Sequence, residues 1–290
     1  VYFHVAAYWP NNDTMCASME PSMSDTAGQE RIIGELRPDA VPPMPPVLYE
    51  DTHLLAVSKP AGLVTHPTYK HHDGTLTDAV FARQAARGEP RPCLLHRLDR
   101  QTTGVVLFAK TAEARRPLVR QFERRTVRKQ YLALAAGLPA NLSGVVEAPL
   151  RRDPLDRRRV IVADDGEWAV THYEVLALSD QHALVLAEPQ TGRTHQIRAH
   201  LAHLGAPLAG DTTYGGEGTV ATRAMLHAWR VQLWHPIADE PLIIAAPIPA
   251  DFVETARRLA LDAGFETLSD RGLCRGETYL AQSPLPSDIL

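Results

Sequence analysis

From Val47 onward, short apolar strands separated by polar turns dominate this chain, and that pattern constrains its fold more than any other feature. VLYEDTHLLAVSKP reads as two strands about a turn at 50–52, and GVVLFAK (104–110) as a third. VRKQYLALAAG is a fourth strand, ending at Gly137. AVTHYEVLAL (169–178) and ALVLAEP (183–189) form an antiparallel pair, and PLIIAAP (241–247) a further buried strand. Helices fall between them irregularly. TAEARRPLVRQFERR has Thr111 as its cap and apolar residues at 114, 118 and 122, with Pro117 predicting a kink or a later start. RTHQIRAHLAHLG stops at Gly205 and ADFVETARRLALDAG at Gly264. No strict strand–helix–strand alternation exists, so the expected class is α+β and not a doubly wound parallel sheet.

The two ends read differently from the middle. Residues 1–46 lack periodicity and close on PPMPP, which predicts an acidic, proline-rich, disordered tail. The expected organisation is that tail, a single catalytic domain over 47–264, and a C-terminal tail over 265–290. The formal charge of −4 hides a strong segregation. Residues 1–50 carry −5 and 251–290 carry −3, while 83–159 holds 18 basic against 7 acidic groups. A cationic middle inside an acidic protein suits a polyanionic partner. Three distant cysteines, none in a CxxC pair, argue against a disulfide framework or a cysteine zinc site and point to a reducing cytoplasm. The uncharged run 131–146 is broken by glycine and proline and is too short to span a bilayer.

Two segments concentrate chemistry. In CLLHRLDRQTTGVVLFAK, Asp99 lies at a corner between apolar strands with Arg97 and Arg100 beside it. A carboxylate there suits a nucleophile or base. It equally suits a turn in which the side chain bonds its own backbone, and spacing alone favours the turn. In TGRTHQIRAHLAHLGAPLAGDTTYGG, Arg193 follows a flexible Gly192. A guanidinium forking onto a carboxylate would keep it ionised, although a surface arginine pairing with any acid reads the same way. His195, His200 and His203 raise a metal site, but only His200 and His203 have helical ligand spacing and no acid or cysteine completes the set. His66, His71 and His72, and the cluster RRDPLDRRR, are weaker candidates for phosphate contact. No dinucleotide fingerprint, Walker loop or GxSxG occurs.

Taken in order, VLYEDTHLLAVSKPAGLVTHP, HRLDRQTTGVVLFAK, TVRKQYLALAAG, GRTHQIRAHLAHLGAPLAGDTTYG and MLHAWRVQLWHP resemble the pseudouridine synthases of the RluA type. The likeness runs from about Val47 to about Pro247. It implies a long mixed, mostly antiparallel sheet with flanking helices and a central catalytic cleft. It also implies an isomerase that turns uridines of structured RNA, ribosomal or transfer, into pseudouridine. By the same resemblance Asp99 is the catalytic aspartate of HRLD, Tyr131 the active-site tyrosine two positions after Lys129, and Arg193 the arginine that pairs with the aspartate. Thr103 stands where serine is usual, and Ser58 where asparagine often precedes Lys-Pro. The chain resembles the minimal members, without the S4-like RNA-binding domain.

Asp99 is expected to work as an ionised carboxylate with Tyr131 stacking on a flipped uracil. Arg97, Arg100 and Lys129 contact RNA, with Arg97 holding the displaced strand or filling the gap. Neither cofactor nor metal is needed, and the enzyme is a cytoplasmic monomer. Two other classes are distinguishable: a noncatalytic RNA-folding module, which has no use for the trio Asp99, Tyr131 and Arg193, and a metal-dependent phosphodiesterase, which a chelator would silence.

Overall fold

The computed structural model describes residues 40–270, apart from 70, 217 and 219, together with 279–280. Most of the tail expected over 1–46, and most of 271–290, lies outside the described residues. The described chain already engages the fold before Val47: Met44 packs on a core cluster and the Pro46 carbonyl accepts from the Ser58 amide.

The hairpin expected at the start is present. Strands β1 (Val47–Glu50) and β2 (Leu54–Lys59) pair antiparallel. Asp51 shapes their turn by accepting the amides of His53 and Leu54, each at 2.7 Å. Helix α1 (Leu76–Ala86) follows, with a capping box between Thr75 and Asp78. Next come β3 (Cys93–Leu94), β4 (Thr103–Ala109), α2 (Ala112–Glu123) and β5 (Arg128–Ala136). Helix α2 runs unbroken through Pro117, so the expected kink or later start is not needed to build it. Strand β6 (Ser143–Glu147) and the small ribbon of β7 (Leu150–Arg152) and β8 (Val160–Val162) precede the pair β9 (Val170–Leu178) and β10 (His182–Pro189).

Helix α3 (Gln196–His203), β11 (Leu226–Trp234), β12 (Pro241–Ala245), α4 (Ala250–Arg258), α5 (Ala263–Asp270) and β13 (Tyr279–Leu280) complete the described elements. The single helix expected over 250–264 is two. Ala260 at φ 57° breaks it, and α5 runs through Gly264. A Cβ on Gly264 would stand 2.6 Å from Leu184, so this glycine serves close packing and not helix termination. Leu268 is fully buried, so the packed unit continues past residue 264.

One large sheet is ordered β1-β2-β4-β11-β5-β10-β9-β6, with β3, β12 and β13 added at its sides. Every pairing among the described residues is antiparallel except β4 with β11. The α+β class with a mixed, mostly antiparallel sheet therefore holds. Strand alternation sorts the core into two faces. In β2, Leu54 and Ala56 join Ala114 and Leu118 of α2, while Leu55 and Val57 join Leu76 and Val80 of α1. In β5, Ala133 and Ala135 face Ile197 and Leu201 of α3, whereas Leu132 and Leu134 face Phe252 and Ala256 of α4. Apolar residues on both faces explain why β4 reads as one continuous apolar run.

The parallel contact needs a glycine. Gly104 sits at φ 116°, and a Cβ there would lie 2.1 Å from the Ala228 carbonyl oxygen. This close approach brings the start of β4, and the corner before it, against β11.

Candidate active site

Asp99 stands at the corner between β3 and β4, as its position between two apolar runs requires. The corner is held through its backbone. The Asp99 carbonyl accepts from the Thr102 amide, and Thr65 Oγ1 both donates to the Leu98 carbonyl at 2.7 Å and accepts from its amide. Below it lies Lys59, fully buried, whose Nζ donates to the carbonyls of Pro60, Leu63 and Arg100 at 2.9, 2.8 and 3.1 Å. Burial drives this ammonium down to about 7, against an upward pull from the charge of Asp99. Three carbonyl acceptors match the three N–H donors of the charged form. From the other side the buried Arg223 donates to the Gln101 carbonyl at 3.2 Å and is itself fixed by Asp251.

These anchors yield a prediction. Lys59→Met leaves buried carbonyl oxygens without their donor, so it should cost about 2 kcal/mol, read as a melting temperature lower by roughly 4–8 °C. Catalytic turnover should fall with it because the Arg100 carbonyl is released. Unchanged melting and turnover would remove Lys59 from this role.

The cation on Asp99 is Arg198. Its Nη1 lies 3.2 Å from Asp99 Oδ2, while Nε and Nη2 fork onto Asp211 at 2.6 and 2.9 Å. Burial works against the Arg198 charge, but the hydrogen bond to Asp211 and the charges of both aspartates outweigh it and raise the guanidinium above its ordinary value. Tyr214 lies under this guanidinium, 5.0 Å from ring centroid to Cζ. Tyr214 Oη accepts from the Val160 amide at 2.9 Å and meets His195 Nδ1 at 3.1 Å. The other ring nitrogen of His195, Nε2, lies 3.7 Å from Asp99 Oδ2. Burial lowers the His195 pKa, so the ring is held toward its neutral form.

Arg193 does not take the place expected of it. It pairs with Glu167 through Nη1 and donates from Nε to the Trp168 carbonyl at 3.2 Å. The reason is local. Gln196 Oε1 accepts the Arg193 amide and the Thr191 hydroxyl, tying the turn down, and His195 adopts a left-handed φ of 53°. That residue separates the turn carrying Arg193 from the helix carrying Arg198. Arg198, three residues after His195, lies with it on the Asp99 side. The motif GRTHQIR thus contains the partner of Asp99, but as its second arginine.

Tyr131 lies on β5 opposite Ala228 and packs among Leu98 and Phe108. Burial, and then the negative charge of Asp99, push its phenol above the ordinary value, so it stays protonated. Lys129, expected to face RNA, is instead folded inward. Its Nζ donates to the Thr191 carbonyl at 3.2 Å, and burial, with the charge of Arg125, lowers it to about 8. Two positions before Tyr131 on the same strand, it shares that residue's face. Arg97 and Arg100 are exposed and line the cleft, Arg100 donating to the Gly62 carbonyl at 3.0 Å. The cleft has a volume of about 420 Å³ and is bordered by Asp99, His195, Arg198, Thr212 and Arg223.

His66 lines the cleft, His71 and His72 are exposed, and His200 is structural. His200 meets Thr171 at 2.8 Å and the Ala148 carbonyl at 2.9 Å, so both ring nitrogens are engaged. Among the described residues no group of three His, Cys, Asp or Glu could hold a metal. Burial drives His96 to about 3 and His227 to about 4. Exposed imidazole titrates at about 6.5, so below that pH the unfolded chain binds protons that the folded chain refuses. Their stabilising contribution is complete above about 6.5 and is lost as the pH falls toward 4, by about 3 kcal/mol for His227. Chemical denaturation across pH 7 to 4.5 should show this decline, and His227→Gln should flatten it; an equally steep slope in the variant would assign the effect elsewhere.

Part of the positive charge of 83–159 is neutralised within the fold. Arg83, Arg87 and Lys110 converge on Glu50, Arg128 meets Glu188, and Arg158 and Arg159 meet Asp156 and Asp153. Exposed arginines of α2, Arg116 and Arg120, with Arg124 just beyond it, remain on the surface.

Residues 53–203 match the family model described as RNA pseudouridylate synthase. The chain is 39% identical over 252 residues to the ribosomal large subunit pseudouridine synthase D of Xanthomonas campestris, covering 81% of this chain and 76% of that protein. It is 40% identical over 250 residues to the protein of the same name from Xylella fastidiosa, covering 80% and 75%. In structure it resembles human RNA pseudouridylate synthase domain containing 4, with a TM-score of 0.61, 28% identity, and coverage of 74% of this chain and 92% of that one.

Proposed function

This chain belongs to the RNA pseudouridylate synthase family, and from that premise we propose that it isomerises particular uridines of large-subunit ribosomal RNA, with Asp99 as the reacting carboxylate. One observation carries the assignment of Asp99: a part-exposed carboxylate on a rigid corner, paired with Arg198 at the wall of a nucleotide-sized cleft. Ribosomal RNA is favoured because the relatives named above are ribosomal large subunit synthases.

The reaction breaks the bond from C1′ to N1, turns the uracil and joins C1′ to C5. The C5 proton leaves to solvent and N1 gains one, so no oxidant or energy source is consumed. Whether the Asp99 carboxylate adds to C1′ or takes the C2′ proton, it must be ionised, and Arg198 supplies the opposing charge. Tyr131 offers a neutral ring against which the detached uracil can turn. A base inside a duplex cannot reach Asp99, so the target uridine leaves its stack, and Arg97 at the cleft rim is placed to fill the gap. Arg100 and the exposed arginines of α2 suit phosphate contacts, which work in the cytoplasm where ribosomal RNA matures would use.

The test is tritium release from large-subunit ribosomal RNA transcript made with 5-tritiated uridine, with transfer RNA transcripts in parallel. Release from the ribosomal transcript is expected. Release from transfer RNA alone would overturn the substrate, and release from neither would overturn the function.

A further inference from the structure

We propose that Trp168, backed by Arg125, is a stacking platform for an unpaired base that flanks the reacting uridine. The inference rests on the RNA-modifying reading above and adds a subsite to it. Trp168 lies between β8 and β9 and keeps 47% of its surface exposed, although its indole is the kind of group that folding ordinarily buries. The Arg125 guanidinium covers one face of the ring at 4.5 Å from the centroid. Arg125 holds that place from a left-handed backbone at φ 61°. The Trp168 backbone is fixed separately, its carbonyl accepting from Arg193 while Arg193 pairs with Glu167. The ring is therefore displayed and already ordered, which lowers the entropy cost of laying a flat ligand on it.

Two short stretches of chain join the platform to residues near Asp99. Arg193 precedes by two residues His195, whose Nε2 is 3.7 Å from Asp99. On the other side Arg125 lies three residues before β5, the strand that carries Tyr131. The occupant is identified by chemistry. An aromatic face with a guanidinium behind it, beside further arginines and a site that acts on RNA, suits a nucleobase carrying a phosphate. Uridine flipping leaves neighbouring bases without their stacking partner, and such a surface takes one of them up.

The experiment compares wild type, Trp168→Ala and Trp168→Phe on the tritiated large-subunit transcript, and measures binding of the same fluorescein-labelled transcript independently of turnover. Trp168→Ala should raise KM and weaken binding about tenfold, with kcat falling less than KM rises. Trp168→Phe should recover most of the loss because it keeps a π-face, and Arg125→Ala should fall between. Equal binding by wild type and Trp168→Ala would overturn the platform and leave the ring for a protein partner. Equal loss in the Ala and Phe variants would make its role structural and also overturn it. Failure of the wild type to release tritium would sink the isomerase reading, while the binding comparison would still decide the platform.

Discussion

Asp99→Asn should lower single-turnover pseudouridine formation by about four orders of magnitude or more. RNA affinity, followed by filter binding, should stay within about threefold, because the proposed phosphate contacts are arginines away from Asp99. The substitution keeps size and can still accept from Arg198, which lies 3.2 Å away, but it removes the charge that either chemical route needs. The corner itself is held by Thr65, Lys59 and Arg223 through backbone atoms, so its shape does not depend on the carboxylate. Appreciable turnover by the variant would show that another group carries the reaction. Lost binding together with lost melting would show that Asp99 is structural.

The second large effect separates two arginines. Arg198→Gln removes the cation shared by Asp99 and the buried Asp211 and leaves two carboxylates facing one another. Breaking such a buried pair costs about 3–5 kcal/mol, so the variant should melt lower and lose about a hundredfold or more in the rate of chemistry. Arg198→Lys should recover part of the melting temperature and little of the rate, since one ammonium cannot fork onto Asp211 while reaching Asp99. Arg193→Gln breaks a partly exposed pair with Glu167, whose worth is about 0–1 kcal/mol. Its loss in the rate of chemistry should be at least tenfold smaller than that of Arg198→Gln. If Arg193→Gln proves the more damaging, Asp99 draws its countercharge from the turn and not from the helix.

Asp99 and Tyr131 were named through the resemblance, on HRLD and on the tyrosine two positions after Lys129; spacing alone favoured a plain turn at Asp99. Arg198 was not named. The decision between it and Arg193 rests on the left-handed backbone of His195, and spacing along the sequence does not reveal φ. Lys129 was misread for a simpler reason: a lysine beside a motif looks like a surface cation, yet parity with Tyr131 places it on the same, covered face. Lys59 was quoted only as part of a motif, since burial of an ammonium is a tertiary fact. Helix α1 was missed because LTDAVFARQAA has only a weak apolar stripe, and its start signal is the Thr75–Asp78 box. The break at Ala260 was missed because alanine carries no turn signal. The sheet order, with β4 beside β11 and more than 100 residues of chain between them, depends on Gly104 meeting Ala228.

The two buried cations beneath the corner grip oxygens that every amino acid possesses. Lys59 and Arg223 hold the carbonyls of Arg100 and Gln101, while the side chains of those two residues face the cleft and solvent. On the proposed function, reaction geometry and contact with RNA are thereby uncoupled within three consecutive positions. Exchanging the side chains at 100 and 101 changes what the rim offers to a nucleic acid without moving the carboxylate at 99. A lineage can retarget such an enzyme by rewriting its rim while the chemistry stays fixed to the backbone.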